Sequence, residues 1–270
     1  MALAAAEGSQ AAGREDGSSM ASQLTIDTLG DAVTRVLGPR LVALVLYGSA
    51  ARGTHVPKRS DVNTLLICDA VDGALFDALA PVVRAWTKSG HPAPLILTER
   101  EWRESADAFP IEYEDMREAH RLLAGRDPWP GIRIERDHLR RQLEHELKGK
   151  LVRLRQAYGA LWAEPKRLAG VIVGTAPGFF TMLRALLRLA GRPVPARPEA
   201  LVGAAATLIG FSASDLAPLI RHAEGGPALR FEGGAHDPLV AAYLAAVARS
   251  AAYVNVFPTL KGGLGGERAP

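Results

Sequence analysis

The residues best suited to chemistry lie in one short segment that runs from Tyr47 to Asn63. Gly48 and Ser49 follow an apolar, strand-like run, and the small residues after them are typical of a short helix. A glycine in such a turn lets a ligand approach the backbone, and helix-start amides with the Ser49 hydroxyl can bind phosphate oxygens. Asp61 begins the next predicted strand, and residue 63 projects from the same face because side chains alternate. Oxygen ligands held in this way bind Mg²⁺, so the segment predicts phosphate and metal binding.

A Gly-Ser pair after a strand, then eleven intervening residues, then Asp-x-acid on the next strand resembles the signature of the polymerase-beta-type nucleotidyltransferase superfamily. The motif covers Gly48 to Asn63, and the similarity of architecture extends over roughly Leu24 to Val254. Small bacterial members pair this domain with a C-terminal helical bundle, as aminoglycoside nucleotidyltransferases do. The resemblance implies that Gly48 and Ser49 hold the nucleotide phosphates and that Asp61 is the first metal ligand. It also implies Mg²⁺ and an NTP, expected to be ATP, as cofactors.

Asn63 is the departure from that pattern, because the family has Asp or Glu at this position. Asparagine offers only a neutral carbonyl oxygen, and the loss of an anion beside Mg²⁺ removes strong charge attraction in a partly dry site. We expect Asn63 to be a weak metal ligand, and the sequence does not favour a full two-metal site.

A third carboxylate of the family normally comes from a later strand. The candidate is Glu112, in the predicted fourth strand Phe109 to Tyr113. If Glu112 lies beside Asp61, it can bind metal or deprotonate an acceptor hydroxyl. Asp115 is a second candidate, and either acid could instead be a solvated strand end or a helix cap.

The loop between the two halves of the motif is basic, with Arg52, Lys58 and Arg59. These side chains could neutralise phosphate charge, which arginine does well through bidentate contacts. Loops are also often basic for solubility alone, so both interpretations stay open. His55, in the same loop, is expected to be exposed to solvent and not catalytic.

The elements around this segment alternate between helix and strand. Periodicity predicts helices at Leu24–Leu37 and Val71–Lys88, the second bent or divided at Pro81, and a helix after the capping box of Thr98 and Glu101. Apolar runs predict strands at Leu41–Tyr47, Val62–Cys68, Ala93–Thr98 and Phe109–Tyr113, with a helix at Glu114–Leu123. The pattern favours an α+β class, with a nucleotidyltransferase-like mixed sheet and flanking helices over residues 23–130.

Strand-like runs disappear beyond residue 130. An apolar stripe at helical spacing continues from Leu139 to Leu161, and further helices are predicted at Phe179–Ala190, Glu199–Ile209, Ala213–His222 and Pro238–Val254. Residues 131–258 are therefore predicted to form an all-helical bundle. Residues 1–22 are predicted to be a disordered leader and residues 259–270 a flexible tail.

Composition narrows the class of protein. Hydrophobic residues make up 48%, charged residues 23%, and the net charge is only +3, which is typical of globular proteins and does not indicate nucleic-acid binding. Cys68 is the single cysteine, so a disulfide framework is excluded, and a cytoplasmic location is expected. The uncharged stretch Leu168–Leu183 is too short to span a membrane and predicts a buried helix, in one piece or bent at Pro177.

Two functions remain open from the sequence. The first is an enzyme that transfers a nucleoside monophosphate from NTP to an acceptor hydroxyl, with a small molecule as the expected acceptor. The second is a catalytically degenerate nucleotidyltransferase-like module that binds a nucleotide or a partner, which Asn63 favours. The oligomeric state is left open.

Overall fold

The computed structural model describes residues 24–57, 59–231 and 234–258. The predicted leader 1–22, the predicted tail 259–270 and Lys58 lie outside the described residues.

A four-stranded mixed sheet forms the centre of the first part of the chain. Its strands are β1 (Leu41–Tyr47), β2 (Asn63–Cys68), β3 (Leu95–Thr98) and β4 (His120–Gly125). In space they follow the order β3-β2-β1-β4. β1 is antiparallel to both β2 and β4, whereas β2 and β3 are parallel. The strand predicted at Leu41–Tyr47 is confirmed, and those predicted at Val62–Cys68 and Ala93–Thr98 begin one and two residues later than expected.

Both faces of this sheet are covered by helices. They are α1 (Ile26–Leu37), α2 (Ser49–Arg52), α3 (Gly73–Lys88), α4 (Glu99–Glu104) and α5 (Pro110–Glu118). Leu44 packs on the side of α1 and α3, and Val45 packs on the side of Trp102 in α4. Burial on both faces explains why β1 and β2 are continuous apolar runs without alternation.

The region from residue 109 to residue 125 differs from the prediction. The prediction of a fourth strand at Phe109–Tyr113 is wrong, because α5 begins at Pro110. The helix predicted at Glu114–Leu123 ends at Glu118, and β4 follows it from His120. Pro110 fits the first position of a helix, where no amide hydrogen is needed. The backbone amide of Ile111 then donates to Oε1 of Gln142, at 2.8 Å, so a distant residue satisfies a first-turn amide.

The second part of the chain contains five α-helices over its described residues. They are α6 (Arg136–Leu161), α7 (Pro165–Leu189), α8 (Pro198–Ile209), α9 (Ala217–Ala223) and α10 (Pro238–Asn255). They share one hydrophobic core, to which α5 contributes Ile111. The predicted α+β fold, a mixed sheet with flanking helices followed by an all-helical part, is thus confirmed.

Two prolines lie inside continuous helices. Pro81 is within α3 and Pro177 is within α7, so neither divides its helix. By length and composition α7 could cross a membrane, but 56% of its most apolar window is buried within the protein. That burial is the environment of a core helix, as the sequence predicted.

Candidate functional site

The end of β1 and the start of β2 meet at one corner of the sheet. Tyr47 pairs with Asn63 in the antiparallel register, which places Gly48 beside the first residue of β2. The φ of Gly48 is 77° and its ψ is −145°, a backbone conformation that is nearly exclusive to glycine. A Cβ at Gly48 would lie 3.5 Å from Nδ2 of Asn63, so the asparagine amide faces this turn.

Ser49 begins the short helix α2 directly after this turn. The backbone amide of Arg52 donates to the Gly48 carbonyl at 2.9 Å, and that of Thr54 donates to the Ser49 carbonyl at 3.0 Å. These bonds fix one tight helical turn at the end of β1. Gly48 and Ser49 both line the same cavity.

Asp61 lies two residues before β2 and does not begin that strand as predicted. The loop that precedes it is closed by Ser60, whose Oγ accepts from the Val56 amide at 3.1 Å. Asp61 is exposed, and it lines the same cavity as Ser49. The two halves of the motif therefore reach one cavity, although their chemical roles stay predictions.

Glu112 reaches this cavity from the first turn of α5 and not from a strand. Nε2 of Gln142, in α6, donates to Oε2 of Glu112 at 2.8 Å. Burial raises the pKa of the Tyr47 hydroxyl, and the negative charge of Glu112 raises it further. Glu112 is thus a carboxylate with an orientation set by the helical part, next to the end of β1.

The orientation of α5 is set in turn by an aromatic cluster. The hydroxyl of Tyr113 donates to the Trp102 carbonyl at 2.6 Å, and the two rings are stacked at 4.1 Å between centroids. Trp129 packs edge-on against Trp102 and donates from its indole to Nε2 of His120, at 3.0 Å. His120 lies in β4 and not on a helix as predicted, so the cluster ties α5 to the sheet edge.

Arg52 and Asp115 form a buried ion pair at the cavity wall. Nη2 of Arg52 is 2.9 Å from Oδ2 of Asp115, and their side chains are only 5% and 15% exposed. Two arginines of α7 approach the other carboxylate oxygen: Nε of Arg184 at 3.9 Å and Nη2 of Arg188 at 3.5 Å. Arg188 also pairs with Glu118. Three arginines therefore share two carboxylates in a mostly buried cluster.

Arg59 lines the cavity but also links the loop to the helical part. Its Nη1 donates to the His222 carbonyl at 3.1 Å and to the Gly226 carbonyl at 2.6 Å. A Cβ built on Gly225 would lie 3.5 Å from Cγ1 of Val56, in the same loop, so the loop packs closely against Gly225. Lys58, the third predicted phosphate ligand, is outside the described residues.

The cavity has a volume of about 660 Å³ and lies between the two parts of the chain. Cavities that hold small ligands range over about 300–1,000 Å³, so one ligand or two small ones fit. The sheet part contributes Gly48, Ser49, Arg52, Arg59, Asp61, Asn63, Glu112 and Asp115, among others. The helical part contributes a wall made mostly of α7.

The acidic residues of the cavity do not form a compact metal cage. Within the described ranges, no group of three or more His, Cys, Asp or Glu side chains is close enough to share an ion. β3, the parallel neighbour of β2, has the sequence Leu-Ile-Leu-Thr without a carboxylate, and its Leu95 lines the cavity. The resemblance implied a third acid on a strand. The candidate for that acid, Glu112, lies on a helix instead.

The structure adds residues to the site that the sequence did not single out. Gln142 lies on α6 and Arg184 on α7, within helices that the sequence predicted without assigning either residue to the site. The available signal at Arg184 was a charge within an apolar helical face, which indicates a buried partner or a ligand. Nothing local distinguishes Gln142, because its partners are 30 and 31 residues away.

Comparison with known proteins supports the fold. The chain matches no protein-family model, and no curated protein shows significant sequence similarity to it. It is similar to the crystal structure of spectinomycin adenyltransferase AAD(9) from Enterococcus faecialis with ATP and spectinomycin. The TM-score is 0.52 at 12% identity, over 83% of this chain and 97% of the other.

At that identity the likeness is one of fold, and fold alone does not fix function. The chain therefore has a nucleotidyltransferase-like fold, with a mixed sheet followed by a helical part.

Proposed function

We propose that this protein transfers a nucleoside monophosphate from an NTP, with ATP as the expected donor, to a hydroxyl group of a small molecule. One observation carries the proposal. The Gly48–Ser49 turn, Asp61 and Glu112 all line a single cavity large enough for a nucleotide or a small acceptor. The fold likeness to an adenyltransferase that was crystallised with ATP and a small molecule supports the same reaction class.

The Gly48–Ser49 corner is proposed to bind the phosphates. The bare backbone of Gly48 allows close approach, and the Ser49 hydroxyl and the amides of the following turn are available as donors. Arg52 and Arg59 contribute positive charge at the cavity wall, although each already binds protein partners. A role for Lys58 stays a prediction from the sequence.

The donor set fits one Mg²⁺ that is bound together with phosphates. Mg²⁺ sites commonly use one or two protein carboxylates, with phosphate and water oxygens as the remaining ligands. Asp61 and the Asn63 side-chain oxygen are the proposed protein ligands, with Glu112 as the alternative ligand if it does not act as the base, and two ions are not expected because the described residues form no compact acidic cluster. When bound, the ion would neutralise the triphosphate charge.

Glu112 is proposed as the general base. Its carboxylate lines the cavity, and Gln142 holds one of its oxygens at 2.8 Å, which leaves the other able to accept a proton from the acceptor hydroxyl. The attacking oxygen would then form a bond to the α-phosphorus, pyrophosphate would leave, and Glu112 would carry the proton. No nucleic acid or membrane partner is proposed, and the expected location is the cytoplasm.

Titration calorimetry with ATP, with and without Mg²⁺, tests nucleotide binding. We expect Mg²⁺-dependent binding that Asp61→Ala abolishes. Asp77→Ala is the matched control, because Asp77 is an exposed aspartate on α3 that does not line the cavity. If both variants bind ATP as the natural protein does, Asp61 has no part in nucleotide binding and the proposal fails.

Pyrophosphate release in the presence of candidate acceptors tests the chemistry. Glu112→Gln should retain ATP binding but lower kcat by roughly 10²–10⁴, which is the usual contribution of a general base. A variant that loses binding and turnover together would show that Glu112 acts as a ligand of the metal and not as a base.

A second function is favoured by a specific observation. Asn63 stands where the family has an acid, and β3 has no carboxylate that faces the cavity. A nucleotide-binding module without catalysis would have this arrangement. Metal-independent ATP binding without pyrophosphate release would support the module. Asn63→Asp separates the two, because a gain in Mg²⁺-dependent release would show that residue 63 still faces a catalytic metal.

A further inference from the structure

One face of α7 forms an apolar wall of the cavity and ends in a charged residue. The lining positions are Val173, Ala176, Pro177, Phe180, Thr181 and Arg184. Their spacing of three and four residues places them on one face of the helix. A ligand that lies along this wall therefore meets aliphatic and aromatic surface first and a guanidinium group at the end.

The guanidinium group of Arg184 is buried but incompletely satisfied. Arg184 is 9% exposed, and its Nε has no hydrogen-bond partner within the described ranges. Nη1 of Arg52 likewise has none within them, although its Nη2 binds Asp115. An unsatisfied charged donor in a buried position costs free energy, so this cluster is suited to an additional anion.

Arg184 keeps its charge in this environment. Burial lowers its pKa to about 10, the positive charge of Arg52 adds to that effect, and Asp115 opposes it. The group is therefore cationic at neutral pH. Asp115, the acid that faces Arg184, is shared among three arginines.

The charges in the cavity are distributed unevenly. Asp61, Glu112 and Asp115 all belong to the sheet part of the chain. The described residues that the helical part contributes to the cavity include no carboxylate, and they include the guanidinium group of Arg184 and the imidazole of His222. A ligand with several amino groups would find no carboxylate on this wall, whereas an acidic group would meet the positive charge of Arg184.

We propose that the acceptor bound in this cavity has an apolar body and an acidic group, a carboxylate or a phosphate, that pairs with Arg184. The inference rests on the proposed function, since it names the acceptor class for the same site. It separates this protein from an enzyme for a polycationic acceptor. The apolar body lies against Val173, Pro177 and Phe180, and Arg52, which also lines the cavity, adds a second positive charge.

Two probes with the same hydrocarbon body and opposite charge test this proposal. 4-Phenylbutyrate and 4-phenylbutylamine are titrated separately into the full chain, with binding followed by calorimetry or by NMR line broadening. We expect the acid to bind about tenfold or more tightly than the amine, the usual effect of one charge-assisted hydrogen bond. Equal affinities, tighter binding of the amine or no saturable binding of the acid would overturn the proposal.

Substitutions at Arg184 locate the effect. Arg184→Gln should remove most of the preference for the acid, and Arg184→Lys, which keeps the charge, should retain part of it. Arg192→Gln is the matched control, because Arg192 is an exposed arginine just beyond α7 that does not line the cavity. Thermal unfolding of each variant verifies the fold. A folded Arg184→Gln protein that keeps the full preference would refute the assignment.

An ATP titration of the same variants separates this inference from the proposed function. If Arg184→Gln weakens ATP binding but leaves the preference for the acid intact, Arg184 serves the nucleotide and the acceptor inference is wrong. If the natural protein binds the acid through Arg184 but does not bind ATP, the transferase proposal fails and the acidic-ligand site remains.

Discussion

The ion pair between Arg52 and Asp115 gives the sharpest prediction about stability. Asp115→Asn keeps the shape of the side chain but removes the charge that faces Arg52 at 2.9 Å and two arginines of α7 at 3.5 and 3.9 Å. Arg188 retains Glu118, whereas Arg52 has no other carboxylate partner within the described residues. The substitution therefore leaves an uncompensated charge on a side chain that is 5% exposed.

The expected size follows from burial. Breaking a buried pair by removal of one partner costs about 3–5 kcal/mol, whereas an exposed pair contributes about 0–1 kcal/mol. Because Asp115 is 15% exposed, the lower end of that range, about 3 kcal/mol, is expected. Domains of this kind unfold with about 5–15 kcal/mol, so the variant should stay folded but with a clearly lower unfolding midpoint.

Urea unfolding followed by circular dichroism measures the effect. Asp137→Asn is the matched control, since Asp137 pairs with Arg141 on the surface of α6 at 3.8 Å and both side chains are substantially exposed. The loss in Asp115→Asn should persist at high salt, because a buried pair is screened little. If the two variants lose the same small amount, below about 1 kcal/mol, the cluster is not a buried charge network and the reasoning is wrong.

Three further predictions test two other parts of the site and the core of the helical part. Gly48→Ala should lower the free energy of unfolding by about 1–3 kcal/mol, because alanine rarely adopts the φ of 77° found at this position. The same variant should bind ATP more weakly in calorimetry. Unchanged stability would contradict the backbone conformation assigned to Gly48. Gln142→Ala should lower kcat more than it changes KM and alter the pH profile of turnover, since it releases the Glu112 carboxylate; an unchanged profile would remove Gln142 from the positioning role. Burial lowers the pKa of Lys150 from 10.5 to about 8. Between pH 8 and pH 10.5 the folded state therefore binds fewer protons than the unfolded chain, so the free energy of unfolding rises with pH over this range. Relative to Lys150→Met, the natural protein should therefore gain about 2 kcal/mol in urea unfolding between pH 7 and pH 10, and parallel curves for the two proteins would refute the shift.

Much of the sheet part could be predicted from local pattern. Seven consecutive apolar residues predicted β1 with its observed bounds, and the capping box at Thr98 and Glu101 is present at the start of α4. Cys68, at the end of the second predicted apolar run, is buried. These features depend on neighbours within a few residues, which the sequence shows directly.

The failures occurred where distant residues decide the local structure. Phe109, Ile111 and Tyr113 alternate as in a strand, yet α5 forms because Pro110 starts a helix and Gln142 satisfies its first turn. β4 exists because it pairs with the edge of β1, which no pattern near His120 reveals. In both places a tertiary contact outweighs local preference.

The sequence by itself determined the Gly48–Ser49 turn, the short spacing from that turn to Asp61 and the loss of an acid at Asn63, because these depend on residue type and short spacing. Only the tertiary structure decided that Glu112 enters the cavity from a helix, that Arg59 binds carbonyls of the helical part, and that Arg184 ends an apolar wall. The physical reason is distance along the chain. The partners of these side chains are 30 to 167 residues away, and only the packed structure brings them together.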